Sequence, residues 1–329
     1  MSVLNSRRYN GAYMKIFVVL CVCAGLAAAA DLRLGIVGTD TSHDTAFTKT
    51  LNDPSSPDHV AGARVVAAWK GGSADIESSR TRIERFTSEL RDKWGVKIVN
   101  QISDLCPLVD GLLIESVDGR AHLSETREAL KCGKPLFIDK PLASTLEDAR
   151  AIAKLAADAG VPWFSSSSLR FGEIQKLRGP NLEGAATWGP GPLEEHHQLE
   201  LSWYAVHPIE MLYTIMGTGC QEVTRMSTPD ADIVVGRWSD GRIGTVRALR
   251  PYATYGAVVF HKPEGKSRDV TTQTMDNSHA GYEGLIQEIV KFMQTKQPPV
   301  PNSETLEMFA FMDAAQRSNE AGGKPMALR

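Results

Sequence analysis

The sequence predicts an α/β protein in two parts, a doubly wound parallel sheet followed by an α+β domain with a mostly antiparallel open sheet. Three observations carry this. Up to about residue 165 short apolar runs alternate strictly with amphipathic stretches, which is the pattern of parallel strands joined by helical crossovers. Beyond it, strand-like runs follow one another and the helices stand apart. Between Pro135 and Pro141 an apolar run ends in Ile138-Asp139-Lys140-Pro141, putting a lysine at the C-terminal edge of a strand, where open α/β sheets bind ligands.

In the first part, strands are expected at Leu32 to Val37, Arg64 to Trp69, Gly111 to Ile114, Pro135 to Ile138 and Val161 to Ser165. Helices are expected from Ser42, over Ile76 to Trp94, over Leu123 to Cys132 and over Leu146 to Ala159. Ser144-Thr145-Leu146-Glu147 reads as a capping box opening the last of these, and Gly160 and Pro162 close it. In the second part the strand-like runs are Gln198 to Trp203, Ile233 to Trp238, Ile243 to Leu249 and Ala257 to His261. The helices are Pro208 to Met216, Tyr282 to Thr295 and Ser303 to Asn319.

Residues 1–30 read as an export signal and not as part of the fold. Met14-Lys15 precedes the apolar run Ile16 to Leu26, and Ala28-Ala29-Ala30 supplies a small-residue cleavage pattern before Asp31. Met14 is an alternative start, and Ser6-Arg7-Arg8 is an incomplete twin-arginine pattern. The run is short for a membrane span, so no stable insertion is expected after cleavage, and the location is periplasmic or secreted. Cys21 and Cys23 follow bulky residues, unlike lipoprotein cysteines. The mature chain then divides into 31–165 and 166–329. A net charge of −3 with few basic clusters argues against nucleic acid as a partner. Cys106, Cys132 and Cys220 show no C-x-x-C spacing and read as buried apolar residues.

Four blocks, in order across residues 32–329, resemble the Gfo/Idh/MocA-type oxidoreductases, relatives of glucose-fructose oxidoreductase and inositol dehydrogenase. Gly133 to Ala143 is similar to the family's G-K-x-V-x-x-E-K-P block, with Asp139 in place of Glu. Ser116 to His122 resembles its P-N-x-x-H loop without the proline. Val206-His207-Pro208-Ile209-Glu210 resembles its H-P-I-D segment, and Lys296 to Val300 with Ser303 to Ala327 resembles its closing strand and helix. The resemblance implies a Rossmann-type first domain, a nicotinamide cofactor, and a sugar or polyol substrate oxidised or reduced at a hydroxyl or carbonyl. It implies that Lys140 contacts the reacting oxygen, that His207 is the acid/base, and that Ser116, Asp139 and Arg170 face the cofactor or substrate. Imidazole suits the proton half of such a reaction, and a helix start disfavours its charged form. Glu210, one helical turn on, is placed to interact with His207 or substrate.

The departures bear on activity. The aspartate common four residues before the histidine is Trp203 here; Tyr204 is the candidate second polar group, and Trp203 offers a flat face to a sugar ring. The three glycine places of a dinucleotide fingerprint read Gly38, Asp40 and His43. Asp40 is expected either to cap the helix and repel a diphosphate, or to turn outward while Thr39, Thr41 and Ser42 hydroxyls hold it. Lys70-Gly71-Gly72-Ser73, with no acid after the second strand, leans toward NADP over NAD. Glu194-Glu195-His196-His197 invites a metal, but adjacent histidines on a strand point to opposite faces, so no metal site is assigned.

The expected function is thus an exported NAD(P)-dependent sugar or polyol oxidoreductase. The alternatives are a redox-neutral glycosidase working through a 3-keto intermediate, and a carbohydrate-binding protein that has lost its nucleotide. An open second sheet predicts a homo-oligomer.

Overall fold

Six strands form a parallel sheet in the order β3-β2-β1-β4-β5-β6. The computed structural model describes residues 30–263, 265, 267–276 and 281–329; residues 1–29, where an export signal is expected, with Met14, Ala28, Cys21 and Cys23, lie outside the described residues. The strands are β1 (Leu32–Val37), β2 (Ala63–Trp69), β3 (Lys97–Val99), β4 (Gly111–Ile114), β5 (Leu136–Ile138) and β6 (Trp163–Phe164). Between them run α1 (Ser42–Asn52), α2 (Glu77–Trp94), α3 (His122–Ala129) and α4 (Leu146–Asp158). β4 and β5 are buried at every position, as a sheet covered on both faces requires. The strand order reverses between β1 and β4, which opens a crevice at their C-terminal ends.

Local details correct parts of the sequence reading. The α4 cap is Thr145, whose hydroxyl accepts from Asp148 N at 2.9 Å, so the helix is capped one residue later than expected and by a single bond in place of the box read at Ser144. β3 was not foreseen, because only Ile98 and Val99 in it are apolar. Cys106 and Cys132 are half-buried and joined in a disulfide, which corrects their reading as apolar filler; only Cys220 is a free, buried thiol among the described residues. The bridge ties the loop before β4 to the end of the α3 region.

The second sheet has seven strands in the order β12-β11-β7-β10-β9-β8-β13, antiparallel except for β10 against β7. They are β7 (Leu182–Pro190), β8 (Cys220–Ser227), β9 (Ala231–Trp238), β10 (Ile243–Leu249), β11 (Gly256–His261), β12 (Thr271–Asp276) and β13 (Met326–Ala327). The helices of this part are α5 (Glu200–Trp203), α6 (Val206–Met216), α7 (Glu283–Thr295) and α8 (Asn302–Glu320). The stretch read as a strand over Gln198 to Trp203 is instead a bend leading into α5. β7 escaped notice because its Gly- and Ala-rich run lacks β-branched bulk, and β12 because it is polar and almost wholly exposed.

Packing crosses the expected boundary at residue 165. α6, buried at all positions, lies against β7 and β10, and α8 packs on β8 and against α4. α7 returns to the first sheet, where Leu285, Ile286, Ile289 and Phe292 join Leu34, Phe47, Phe137 and Phe164 in one core. Asp31–Arg329 accordingly forms a single compact unit.

Candidate active site at the C-terminal edge of the parallel sheet

A cavity of about 420 Å³ lies where α1, the turn after β5 and the α5–α6 segment converge, and both Lys140 and His207 line it. Thr41, Ser42 and His43 reach it from the start of α1, Trp203 and Tyr204 from the end of α5. Tyr252, Tyr255 and Tyr282 add aromatic walls from loops. Lys140 is half-buried in the turn after β5, and a cis Lys140–Pro141 bond follows it.

His207 sits in the first turn of α6, buried, with Nδ1 2.8 Å from Ser167 Oγ. Burial, followed by the charges of Lys140 and His43, holds its pKa well below the usual histidine value, so the ring is neutral at ordinary pH. Its ring stands edge-on to Tyr204 and Tyr255, with centroids 5.3 and 5.7 Å away. Since Ser167 engages Nδ1, Nε2 is the nitrogen left for other work.

Beneath Lys140, three groups gather that sequence reasoning had not joined. Glu115 and Asp139 are the first residues past β4 and β5, and their amides continue the ladder by donating to Val37 O and Ile114 O at 2.8 Å. His43 Nδ1 lies 2.6 Å from Asp139 Oδ2. Burial pushes the Asp139 carboxyl up, but the charges of His43 and Lys140 outweigh it and leave its pKa below the ordinary value. Glu115 is fully buried; that burial, with Asp139 and Asp44 nearby, raises its pKa well above the ordinary value.

The fingerprint loop differs from both readings of Asp40. Its carboxylate does not cap α1; it is wholly buried, and Oδ1 accepts from Val117 N at 2.9 Å. Thr41 is the cap, its hydroxyl accepting from His43 N. Thr39 turns away from the cleft, with Oγ1 2.6 Å from Thr87 Oγ1. Gly38 has φ +90° and is pressed on Ser116; a Cβ there would lie 2.1 Å from Ser116 Oγ. Ser116 itself donates to Glu125 at 2.6 Å inside the protein, so its hydroxyl is committed. Of the loop residues expected to hold a phosphate, Thr41 and Ser42 thus line the cleft, whereas Gly38 serves as a spacer and Thr39 and Ser116 are engaged elsewhere.

The support for a 2′-phosphate also weakens. Lys70 is paired with Glu84, and Ser73 Oγ donates to Asp118 at 2.7 Å. The cation that does line the cleft on that side is Arg82, which the sequence reading missed. Arg170, expected to face cofactor or substrate, is buried in ion pairs with Glu210 and, at 2.6 Å, Glu304. Glu210 also accepts from Ser166 at 2.7 Å, so it anchors this network and not His207 or a substrate. Trp203 does reach the cleft, its ring braced edge-on by His197 at 4.9 Å. His196 and His197 lie in a turn and not on a strand: His197 Nε2 lies 3.2 Å from Asp118, and His196 Nδ1 2.6 Å from Glu194.

His43, Glu115, Arg82 and the three loop tyrosines are the site residues that sequence reasoning passed over. His43 had a signal, since it stands at the fingerprint's third place on a helix start. The tyrosines had none, because irregular loops carry no period.

The parallel sheet with its crevice at the order reversal, followed by an open second sheet and by α6 with its neutral His207, defines a two-part scaffold of the nucleotide-binding type. Residues 32–166 match the family described as an oxidoreductase family with an NAD-binding Rossmann fold. Over that stretch the chain resembles the Gfo/Idh/MocA-type oxidoreductases. The 1,5-anhydro-D-fructose reductase of Ensifer adhaerens is 31% identical over 114 residues, 34% of each chain. The chain spans less than half the length of the curated relatives it matches, 45% and 34%. The fold extends further. The myo-inositol dehydrogenase of Lactobacillus casei, solved with NAD(H) and myo-inositol, superposes with TM-score 0.68 at 17% identity over 91% of this chain and 97% of that one. GenD2 from gentamicin A biosynthesis, solved with NAD, gives 0.70 at 13% identity over 91% and 97%.

Proposed function

We propose that the protein is an NAD-dependent oxidoreductase acting on a hydroxyl or carbonyl of a sugar or polyol, with Lys140 and His207 as its polar catalytic pair. The observation that carries this is their convergence on one cleft beside the N-terminus of α1, from a strand end and a helix start distant in sequence. The loop fits a diphosphate on one decisive point: Asp40 is turned inward, leaving the helix end with Thr41 and Ser42 open to the cleft. When bound, the nicotinamide accepts or returns the hydride.

The chain's residues handle the proton and the geometry. With Nδ1–H donated to Ser167, the Nε2 lone pair of His207 takes the proton of the reacting hydroxyl. Lys140 donates to the same oxygen and stabilises negative charge developing there. Tyr204 extends the polar wall, and Trp203 with the loop tyrosines offers flat faces to a sugar ring. NAD is preferred to NADP because Glu84 neutralises Lys70. A redox-neutral glycosidase would use the same pair and is separated from this reading by its product, a free sugar with no keto group.

Export belongs to the same proposal: a Cys106–Cys132 bridge suits an oxidising compartment. So does self-association through the outer face of the second sheet, where Ile243, Val270 and Met226 are exposed. The test of the function is direct. Purified protein is denatured and the released small molecules are identified by mass; NAD is expected, and its absence, together with no binding of added NAD, would refute the cofactor assignment.

A further inference from the structure

We propose that His43, Glu115 and Asp139 form a binding site for one divalent first-row transition metal, of the Zn²⁺ or Mn²⁺ kind, in the floor of the cleft. One ligand atom from each lies within 4.8 Å of the others, close enough for a shared ion. The three come from three elements, the first turn of α1 and the ends of β4 and β5, so the backbone of the sheet fixes their spacing.

The second observation is independent of that proximity. Both carboxylate oxygens of Glu115 and the Oδ1 of Asp139 are buried and without a hydrogen-bond partner. An orphaned buried carboxylate is costly, and folds keep one only where something pairs with it. A proton shared between one Glu115 oxygen and Asp139 Oδ1 would serve two of these atoms and leave the other Glu115 oxygen without a partner. A cation between the two carboxylates and the imidazole satisfies all three orphaned atoms at once. Side-chain hydrogen bonds do not supply them, and the ammonium of Lys140, half-buried above, donates to none of these atoms.

The donor set selects the class of ion. One imidazole and two carboxylates suit Zn²⁺, Mn²⁺ or Fe²⁺; Ca²⁺ asks for six to eight oxygens and Mg²⁺ for a mostly hydrated oxygen shell. Three protein ligands leave a coordination position open, as catalytic sites require. His43 lines the cleft together with Lys140 and His207, so that position faces the space where the substrate oxygen is placed above. The metal would there polarise a hydroxyl or carbonyl oxygen. Binding of the ion does not rest on the oxidoreductase reading, and metal content is measured without turnover, so the two stand or fall separately.

The experiment uses the full mature chain, stripped with EDTA, desalted, and titrated with ZnCl₂ and with MnCl₂ by calorimetry, with bound metal counted by elemental analysis after gel filtration. Wild type is expected to bind one equivalent of at least one of the two ions, with Glu115→Gln and His43→Gln weakening it by 100-fold or more. Glu115→Gln, being nearly isosteric, should also be at least as stable as wild type without metal, while only wild type gains in melting temperature on adding the ion. His196→Gln removes the half-buried histidine paired with Glu194, outside the proposed site, and should leave binding unchanged. No stoichiometric binding by wild type, equal binding by Glu115→Gln and His43→Gln, or loss of the ion only in His196→Gln would each overturn the proposal. Should Glu115→Gln fail to fold, His43→Gln, which alters a cleft-lining ring, carries the same comparison.

Discussion

Glu125→Gln should change how stability responds to pH. The Glu125 carboxyl, wholly buried in the first turn of α3, has its pKa pushed to about 8, first by burial; its Ser116 hydrogen bond opposes this, and Asp40 and Asp118 add to it. In the unfolded chain it titrates near the ordinary value of 4.5. Between those values the native state keeps a proton that the unfolded state has lost, so unfolding is increasingly favoured as pH rises. At about 1.4 kcal/mol per pH unit, over the interval from 4.5 to 8, wild type loses on the order of 5 kcal/mol, and above 8 no more. Glutamine carries no such proton and keeps the same shape. Urea unfolding of both proteins at pH 5, 6.5 and 8 should therefore show a small difference at pH 5 and a growing advantage of Glu125→Gln toward pH 8. All other groups titrate in both proteins and largely cancel. A difference that stays flat across that range, or that shrinks toward pH 8, would refute the reasoning.

Replacing both Cys106 and Cys132 by Ser should cost about 3.5 kcal/mol, the loop-closure value for a separation of 26 residues, read as a lower urea midpoint; an unchanged midpoint would mean that the bridge does not form. Asp40→Gly should not tighten nucleotide binding, because the carboxylate faces inward, but should destabilise by roughly 1–3 kcal/mol by stranding Val117 N–H; tighter NAD binding in a calorimetric titration would restore the electrostatic objection to Asp40. Protein secreted by its host should begin at Asp31 by intact mass. Retention of residues 14–30 would mean an anchored protein.

The alternation of strand and helix, and hence the first sheet, was legible because covered parallel strands such as β4 and β5 are continuous apolar runs. Lys140 and His207 were legible because each stands in a short block of fixed order, and their meeting follows from strand-end and helix-start geometry. Asp40 was misjudged because sequence tells where a carboxylate is attached and not which way it points; Val117 N, 77 residues away, decides that. Arg170 was misjudged for the same reason, its partners Glu210 and Glu304 lying far along the chain. The disulfide was hidden by an odd cysteine count, since only the fold separates Cys220 from the pair. The convergence of His43, Glu115 and Asp139 needs the sheet order itself: nothing in the spacing of residues 43, 115 and 139 announces that β1, β4 and β5 are neighbours.

The most direct test of the account follows nicotinamide absorbance at 340 nm when a panel of sugars and polyols is added to the NAD-loaded protein. Wild type should reduce the nucleotide with at least one of them. Lys140→Met and His207→Asn, still folded and still binding NAD, should lower kcat by 10²- to 10⁴-fold, the range expected for loss of a positioned acid/base or of an oxygen-stabilising cation. Reduction that proceeds undiminished in both variants would contradict the assignment of this cleft as the active site.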